Sequence, residues 1–517
     1  MTANALALIK QLTALLTAEN QVVRLSDQTA TKTVRQMVRL TCTLADDYRA
    51  LVNRHMLAAA RVISRPIYER GVFLLFILHD YGESVARAQL FYHSSRLRQY
   101  LWTRAICSQP DSFMDREPLA SAFAAQDGQC WGQHHMSLAS WLAQQIDDER
   151  TAFNAVEQRV QYCDLASFGR DDRRKTWYRT DPEVWGHGPK ISSIADVARY
   201  VLADQHNYCH LVFYGINSLF THGYYLPAVL TDDVTGTSLL VAGLLDATVA
   251  AIFKVGHPTN RERRQFQQLH HQLMEQFKAQ PVPQWSESAH PDRISQGTGA
   301  AFMAQAQATL DAYRWLRKKG RNQAACVLFR TLNEQWVSVR WIKAQPTEDA
   351  QRVLFDRFVL TARLQLTRDV RRFVGEEQKE AFTPVVDILT DALIQAATPV
   401  MNQRTLRRDK QHRNWLAVEQ GPGKHARSFR AVERLVVPHG SFAYQYANGF
   451  HSVHAHGINL NLPFFMDDQH TPIFLLGDDA QMKANDQVVA DLVGGWNRHG
   501  TTWNYYFARQ EDDAGYG

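Results

Sequence analysis

One nine-residue pattern occurs twice in this chain and constrains its fold more than any other feature. Gly215-Ile216-Asn217-Ser218-Leu219-Phe220-Thr221-His222-Gly223 and Gly449-Phe450-His451-Ser452-Val453-His454-Ala455-His456-Gly457 both read G-x-x-S-x-x-x-H-G, 234 residues apart. Each closes a segment whose apolar residues recur at helical spacing. Each histidine is therefore predicted to end a helix, with the following glycine supplying a left-handed cap. At 517 residues the chain exceeds what one small core can organise, so a duplicated unit is an economical architecture.

The upstream sequence repeats as well. Ala59-Ala60 followed by Arg65-x-x-x-Glu69 has a counterpart in Ala324-Ala325 followed by Arg330-x-x-x-Glu334, 265 residues later. The same spacing links Val72 to Val337, Glu83 to Glu348 and Arg87 to Arg352. Ser193-Ile194 matches Ser428-Phe429 at a spacing of 235, which leaves about thirty extra residues in the first half, within 108–175. The predicted fold is all-α, with two tandem helical-bundle domains related by an internal repeat. Residues 1–30 form an N-terminal helix, 31–256 the first copy, 257–299 a charged helix and linker, and 300–517 the second copy.

Local patterns fill in this frame. Leu6, Ile9, Leu12, Leu15 and Leu16 give an amphipathic rhythm that Val34, Met37, Val38, Thr41 and Leu44 continue. Pro66 is expected to bend or restart its helix, and the apolar run 71–78 to lie in mid-bundle. Further helices are predicted over 83–106 and 137–160. Ser192 or Ser193 is placed to cap the next helix, with Asp196 completing a capping box. The most apolar stretch, 238–253, contains Asp246 and falls short of the ~20 residues that span a bilayer. It reads as a buried helix with no membrane role. The first 19 residues do not form a signal peptide.

Lys+Arg of 57 against Asp+Glu of 52 leaves a net charge of +5, which permits nucleic-acid binding without demanding it. The six cysteines show neither a disulfide framework nor a thiolate zinc spacing, which fits reduced thiols in a cytoplasm. No phosphate-binding glycine loop, dinucleotide fingerprint, nucleophile elbow or zincin motif is present. His206 and His210 lack a third ligand, and His451, His454 and His456 point around a helix. Neither a metal nor a cofactor is expected.

Arg65 and Glu69 share a helix face, as do Ser218 and His222. Polar groups among so many apolar neighbours must be paired. The spacing predicts that Arg65, Glu69 and His222 converge, and likewise Arg330, Glu334 and His456. Such a set is either a polar knot that fixes helix register or a catalytic or binding site in each copy, or one shared between them. The basic stretches 170–175, with Arg173 and Arg174, and 404–413 precede Trp177 and Trp415. They suit binding of an RNA backbone with stacking of a base.

These residues resemble an uncharacterised bacterial family of all-helical domains marked by R-x-x-x-E and S-x-x-x-H-G, over roughly 55–225 and 320–460. More distantly, the H-G ending is similar to the HEPN superfamily, many of whose members are metal-independent ribonucleases in defence and toxin systems. That resemblance implies catalysis by His222 and His456, oriented by Glu69 and Glu334. Arg65 and Arg330 would carry phosphate charge, beside Ser218 and Ser452. Substrate would be held by Asn217 and His451 with Arg173, Arg174, Trp177 and Trp415. The superfamily's arginine, four to six residues before the histidine, is missing from 212–218 and 446–452, so Arg65 and Arg330 must supply it from another helix. RNA, or a protein partner of such a system, is the implied partner. The competing expectation is a non-catalytic helical scaffold whose His, Glu and Arg sets are structural.

Overall fold

The computed structural model describes residues 2–107, 137–169, 171–202, 209–223, 233–256, 258–279, 298–373 and 429–436, with 391, 394, 395, 482, 483, 485, 486 and 489. The N-terminal region is two helices, α1 (Thr2–Glu19) and α2 (Gln28–Val52). Asp27 accepts the Ala30 N–H at 2.7 Å and caps α2.

Helix α3 (Leu57–Leu78) is the axis of the bundle. Every residue from 62 to 78 is buried, as expected of a helix that is apolar nearly all round. Pro66 does not end it: the helix continues through the proline. Helix α4 (Ser84–Cys107) packs on α2 and α3, and α5 (Leu138–Val160) lies along α4. Two single helical turns, Asp172–Lys175 and Pro182–Trp185, lead to α6 (Ile194–Leu202) on α3. Asp196 Oδ2 accepts the backbone N–H and hydroxyl of both Ser192 and Ser193, at 2.8–3.0 Å. Ser193 Oγ accepts the Asp196 N–H in return, so the capping box is complete.

A wide π-helical segment (Leu211–Ile216) runs into α7 (Asn217–Thr221). Helix α8 (Asp233–Val255) packs between α1 and α3. It is long and apolar enough to cross a membrane, yet 72% of its apolar window is buried within the protein, so it is a core helix. Its Asp246 is explained by α9 (Asn260–Ala279), whose His270 Nδ1 lies 2.9 Å from Asp246 Oδ2.

Among the described residues, the second half includes α10 (Thr298–Lys318), α11 (Asn322–Lys343), α12 (Glu348–Phe373) and α13 (Phe429–Val436). Helices α3 and α11 are both 22 residues long, and their first residues stand 265 apart. A residue of positive φ precedes each at the same spacing, His55 at 58° and Gly320 at 65°. The closing bonds match too: Met56 N–H reaches Leu51 O at 3.0 Å, and Arg321 N–H reaches Leu316 O at 2.9 Å. Helices α2, α4 and α6 pack on α3, while α10, α12 and α13 pack on α11. Helix α3 also meets α10 and α11 directly. Among the described residues there is no strand beyond one isolated bridge, Thr180 with Ile191. The all-α class is established.

Candidate active site

The end of α7 is where the two halves meet around a histidine. His222 is the C-terminal cap of α7, its N–H bonded to Ser218 O at 2.9 Å. Gly223 follows at φ +73°, the left-handed conformation that glycine adopts without a Cβ penalty. It also lies so near α11 that a Cβ would fall 2.9 Å from Gln335 N. Thr331 Oγ1 donates to Thr221 O at 2.9 Å. The helix end is thereby docked on α11 by backbone contact as well as by side chains.

The charges converge from both long helices. On α3, Arg65 Nε donates to Glu69 Oε1 at 2.9 Å, and Arg65 Nη1 donates to Ser218 Oγ at 3.0 Å. On α11, Arg330 Nε donates to Glu334 Oε1 at 3.2 Å. Glu334 Oε2 lies 3.0 Å from His222 Nδ1, and Arg65 Nη1 lies 3.5 Å from His222 Nε2. The carboxylate that meets His222 is thus Glu334, not Glu69. Arg65 contacts both Glu69 and His222, and Glu334 from α11 joins them at the other nitrogen of the ring. The sequence spacing could not choose between two carboxylates with the same local pattern. Helix packing chose.

An ionised carboxylate can only accept, so Glu334 holds the proton on Nδ1 and leaves Nε2 with its lone pair. Burial pushes the His222 imidazole down to about 4, with Arg330 and Arg65 adding to the fall and Glu334 opposing it. At neutral pH the ring is uncharged. It is not sealed, however: 26% of its side chain is exposed, whereas Glu334 is 2% exposed. The arrangement is a neutral imidazole, fixed in one tautomer, presenting a basic nitrogen beside a guanidinium.

Arg65 reaches Ser218 and His222 from a helix some 150 residues earlier in the chain. Other expected binding residues are placed elsewhere. Asn217 is fully buried and its Nδ2 donates to Ser64 Oγ at 2.8 Å, which ties α7 to α3. Arg173 is buried and pairs with Glu157 at 2.7 Å. Arg174 donates to Asn154 Oδ1 at 2.8 Å. Trp177 packs among Phe73, Phe76 and Phe91. Of the basic-aromatic run read as an RNA-binding face, Arg173 and Trp177 are therefore buried in the core, Arg174 is partly buried against α5, and Lys175 is exposed. His451, Ser452, His456 and Trp415 lie outside the described residues, as does the 404–413 stretch.

Tyr214 was not singled out from sequence. It stands four residues before Ser218 and eight before His222, and its ring centroid is 5.1 Å from the Arg65 guanidinium carbon. Among the described residues no group of three His, Cys, Asp or Glu side chains is placed to hold a metal ion. His210, one of the histidines weighed as a ligand, lies 3.0 Å from the Tyr68 hydroxyl through Nδ1.

Residues 32–234 match a family of unknown function, DUF5677. The match takes in Arg65, Glu69, Ser218 and His222 and ends before Arg330 and Glu334. No curated protein and no solved structure matches the chain.

Proposed function

We propose that this chain is a HEPN-like protein that binds RNA and cleaves it without a metal, as a cytoplasmic effector of a bacterial defence or toxin system. The observation that carries this reading is His222, partly open to solvent, with Nδ1 on Glu334 and Nε2 beside Arg65. A general base, an orienting carboxylate and a phosphate-neutralising guanidinium are what transesterification by a ribose 2′-hydroxyl requires. The depressed imidazole narrows its role: at neutral pH it takes a proton and has none on Nε2 to give. An incoming phosphate favours the imidazolium and raises its basicity toward neutrality.

We also propose that the halves are two divergent copies of one helical domain. The equal lengths of α3 and α11, the matched positive φ of His55 and Gly320 and the parallel packing of their neighbours support this. The shared site then arises where one copy's histidine meets the other copy's carboxylate.

A second reading has an observation of its own. Arg65–Glu69 and Arg330–Glu334 are ion pairs whose side chains are at most 7% exposed, and such pairs suit a lock between the halves of a non-catalytic scaffold. Purified protein incubated with single-stranded RNA, with and without chelator, separates the two. Cleavage that resists chelator and disappears in His222→Ala supports the ribonuclease. Absence of cleavage by the wild type, with lowered melting temperatures in His222→Ala and Glu334→Ala, supports the scaffold.

A further inference from the structure

Within residues 212–223 three side chains are only partly buried, Tyr214, Ser218 and His222, and they are spaced four apart. That spacing lines them along one face of the segment. Arg65 lies against all three: its Nη1 is 3.0 Å from Ser218 Oγ and 3.5 Å from His222 Nε2, and its guanidinium carbon sits over the Tyr214 ring. The stripe crosses the junction between the π-helical segment and α7. An i→i+5 insertion shifts the phase of the residues around it, and such insertions gather at functional sites.

Tyr214 is held rigidly. Its ring stacks on His210, with centroids 4.7 Å apart and planes at 16°, and His210 is itself anchored to Tyr68. The charged groups facing the phenol are Arg65 from α3, Glu69 from α3 and Asp369 from α12. Burial pushes the phenol above its ordinary value, while Arg65 favours the ionised form. The hydroxyl therefore stays protonated at neutral pH and has a guanidinium beside it to steady the phenolate when the proton leaves.

We infer that Tyr214 is the proton donor of this site, delivering its phenolic proton to the leaving oxygen of a bound RNA strand. This rests on the ribonuclease reading above and supplies what His222 lacks. The ribose 2′-oxygen bonds to phosphorus as His222 Nε2 takes its proton. The bond from phosphorus to the 5′-oxygen breaks as Tyr214 gives that oxygen a proton. The products are a 2′,3′-cyclic phosphate and a 5′-hydroxyl. Return of one proton from the imidazolium to the phenolate through solvent restores both groups. At the 234-residue spacing of the repeated motif, the second half has Asn448 where the first has Tyr214. An amide cannot act as this acid, so the phenol belongs to the His222 motif alone.

The test uses the full-length protein with two oligonucleotides, each carrying one cleavable ribonucleotide. In one the leaving atom is the ordinary 5′-oxygen. In the other it is sulfur, which departs as a thiolate and needs no proton. Wild-type protein is expected to cleave both. Tyr214→Phe is expected to lose roughly 100-fold or more on the oxygen substrate and to stay near the wild-type rate on the sulfur substrate. Because both rates are read on the same preparation, partial misfolding lowers them together and leaves their ratio intact. Equal loss on both substrates, or no loss on either, overturns the role of Tyr214 while leaving the ribonuclease standing. Failure of the wild type on both overturns the ribonuclease reading and this one with it.

Discussion

Helices α3 and α11 carry the same Arg-x-x-x-Glu pattern at the same depth, with all four side chains nearly sealed. What each contributes is different. From α3 it is the arginine that reaches outward, to Ser218 and His222. From α11 it is the glutamate, whose second oxygen meets His222 while the first stays on Arg330. Identical local chemistry acquires separate roles because one α7 end docks against both helices from one side. A site assembled this way needs both halves, and its residues cannot be assigned by proximity along the chain.

The largest expected effect comes from breaking that asymmetry at its centre. Glu334→Ala leaves Arg330 buried without its carboxylate and frees the His222 ring, a loss of about 3–5 kcal/mol in denaturant unfolding. Glu69→Ala removes the carboxylate from Arg65 and is expected to cost a similar amount. The Gln variants separate the two: Glu334→Gln lowers the His222 titration further, and Glu69→Gln leaves it near the wild-type position. Equal shifts in an NMR titration of the imidazole would show that the helices are interchangeable after all.

The pH dependence follows from the same ring. In the unfolded chain His222 titrates at its ordinary 6.5, and in the folded protein at about 4. The unfolded state then binds the extra proton, so this contribution is fully present above pH 6.5 and is lost as pH falls toward 4. Its size is about 2–3 kcal/mol, allowing for the exposed quarter of the ring. Denaturant midpoints measured between pH 7 and 4 should fall less steeply in His222→Gln. A slope identical to wild type would mean that the ring is not held neutral.

Backbone geometry gives a smaller contrast. Gly223→Ala combines a left-handed φ with a clash on the Gln335 backbone, and about 2 kcal/mol or more is expected. Gly320→Ala has a similar φ and nothing within 4 Å of the new Cβ, so about 1 kcal/mol is expected. His55 occupies the position matching Gly320 at φ 58°, and His55→Gly is expected to stabilise by up to about 1 kcal/mol in thermal melting. The smallest effect is Thr331→Val, which removes the bond to Thr221 O for about 1 kcal/mol or less. On α3 the matching position is Pro66, which has no hydroxyl to donate, so this docking contact belongs to α11 alone.

Much of the fold was legible in the residues. Apolar spacing marked the helices, Ser193 and Asp196 marked the start of α6, and the apolar run with its single Asp246 marked a core helix. Those signals act within a few residues, where helix geometry ties spacing to face. In the basic run before Trp177 the sequence could not show that Arg173 and Arg174 find Glu157 and Asn154 on α5, whereas Lys175 stays exposed. Asn217 looked like a binding residue because it adjoins Ser218, but one step around the helix turns it inward to Ser64.

The sequence by itself determined the all-α class, the candidate pair of polar sets and the glycine that must follow His222. Only the tertiary structure decided that Glu334 rather than Glu69 meets the imidazole, that Arg65 lies beside its other nitrogen and that Tyr214 joins the same stripe. Helical periodicity specifies which residues share a face. Which faces meet is decided by packing across more than a hundred residues of intervening chain, where two carboxylates with the same local pattern cannot be told apart in advance.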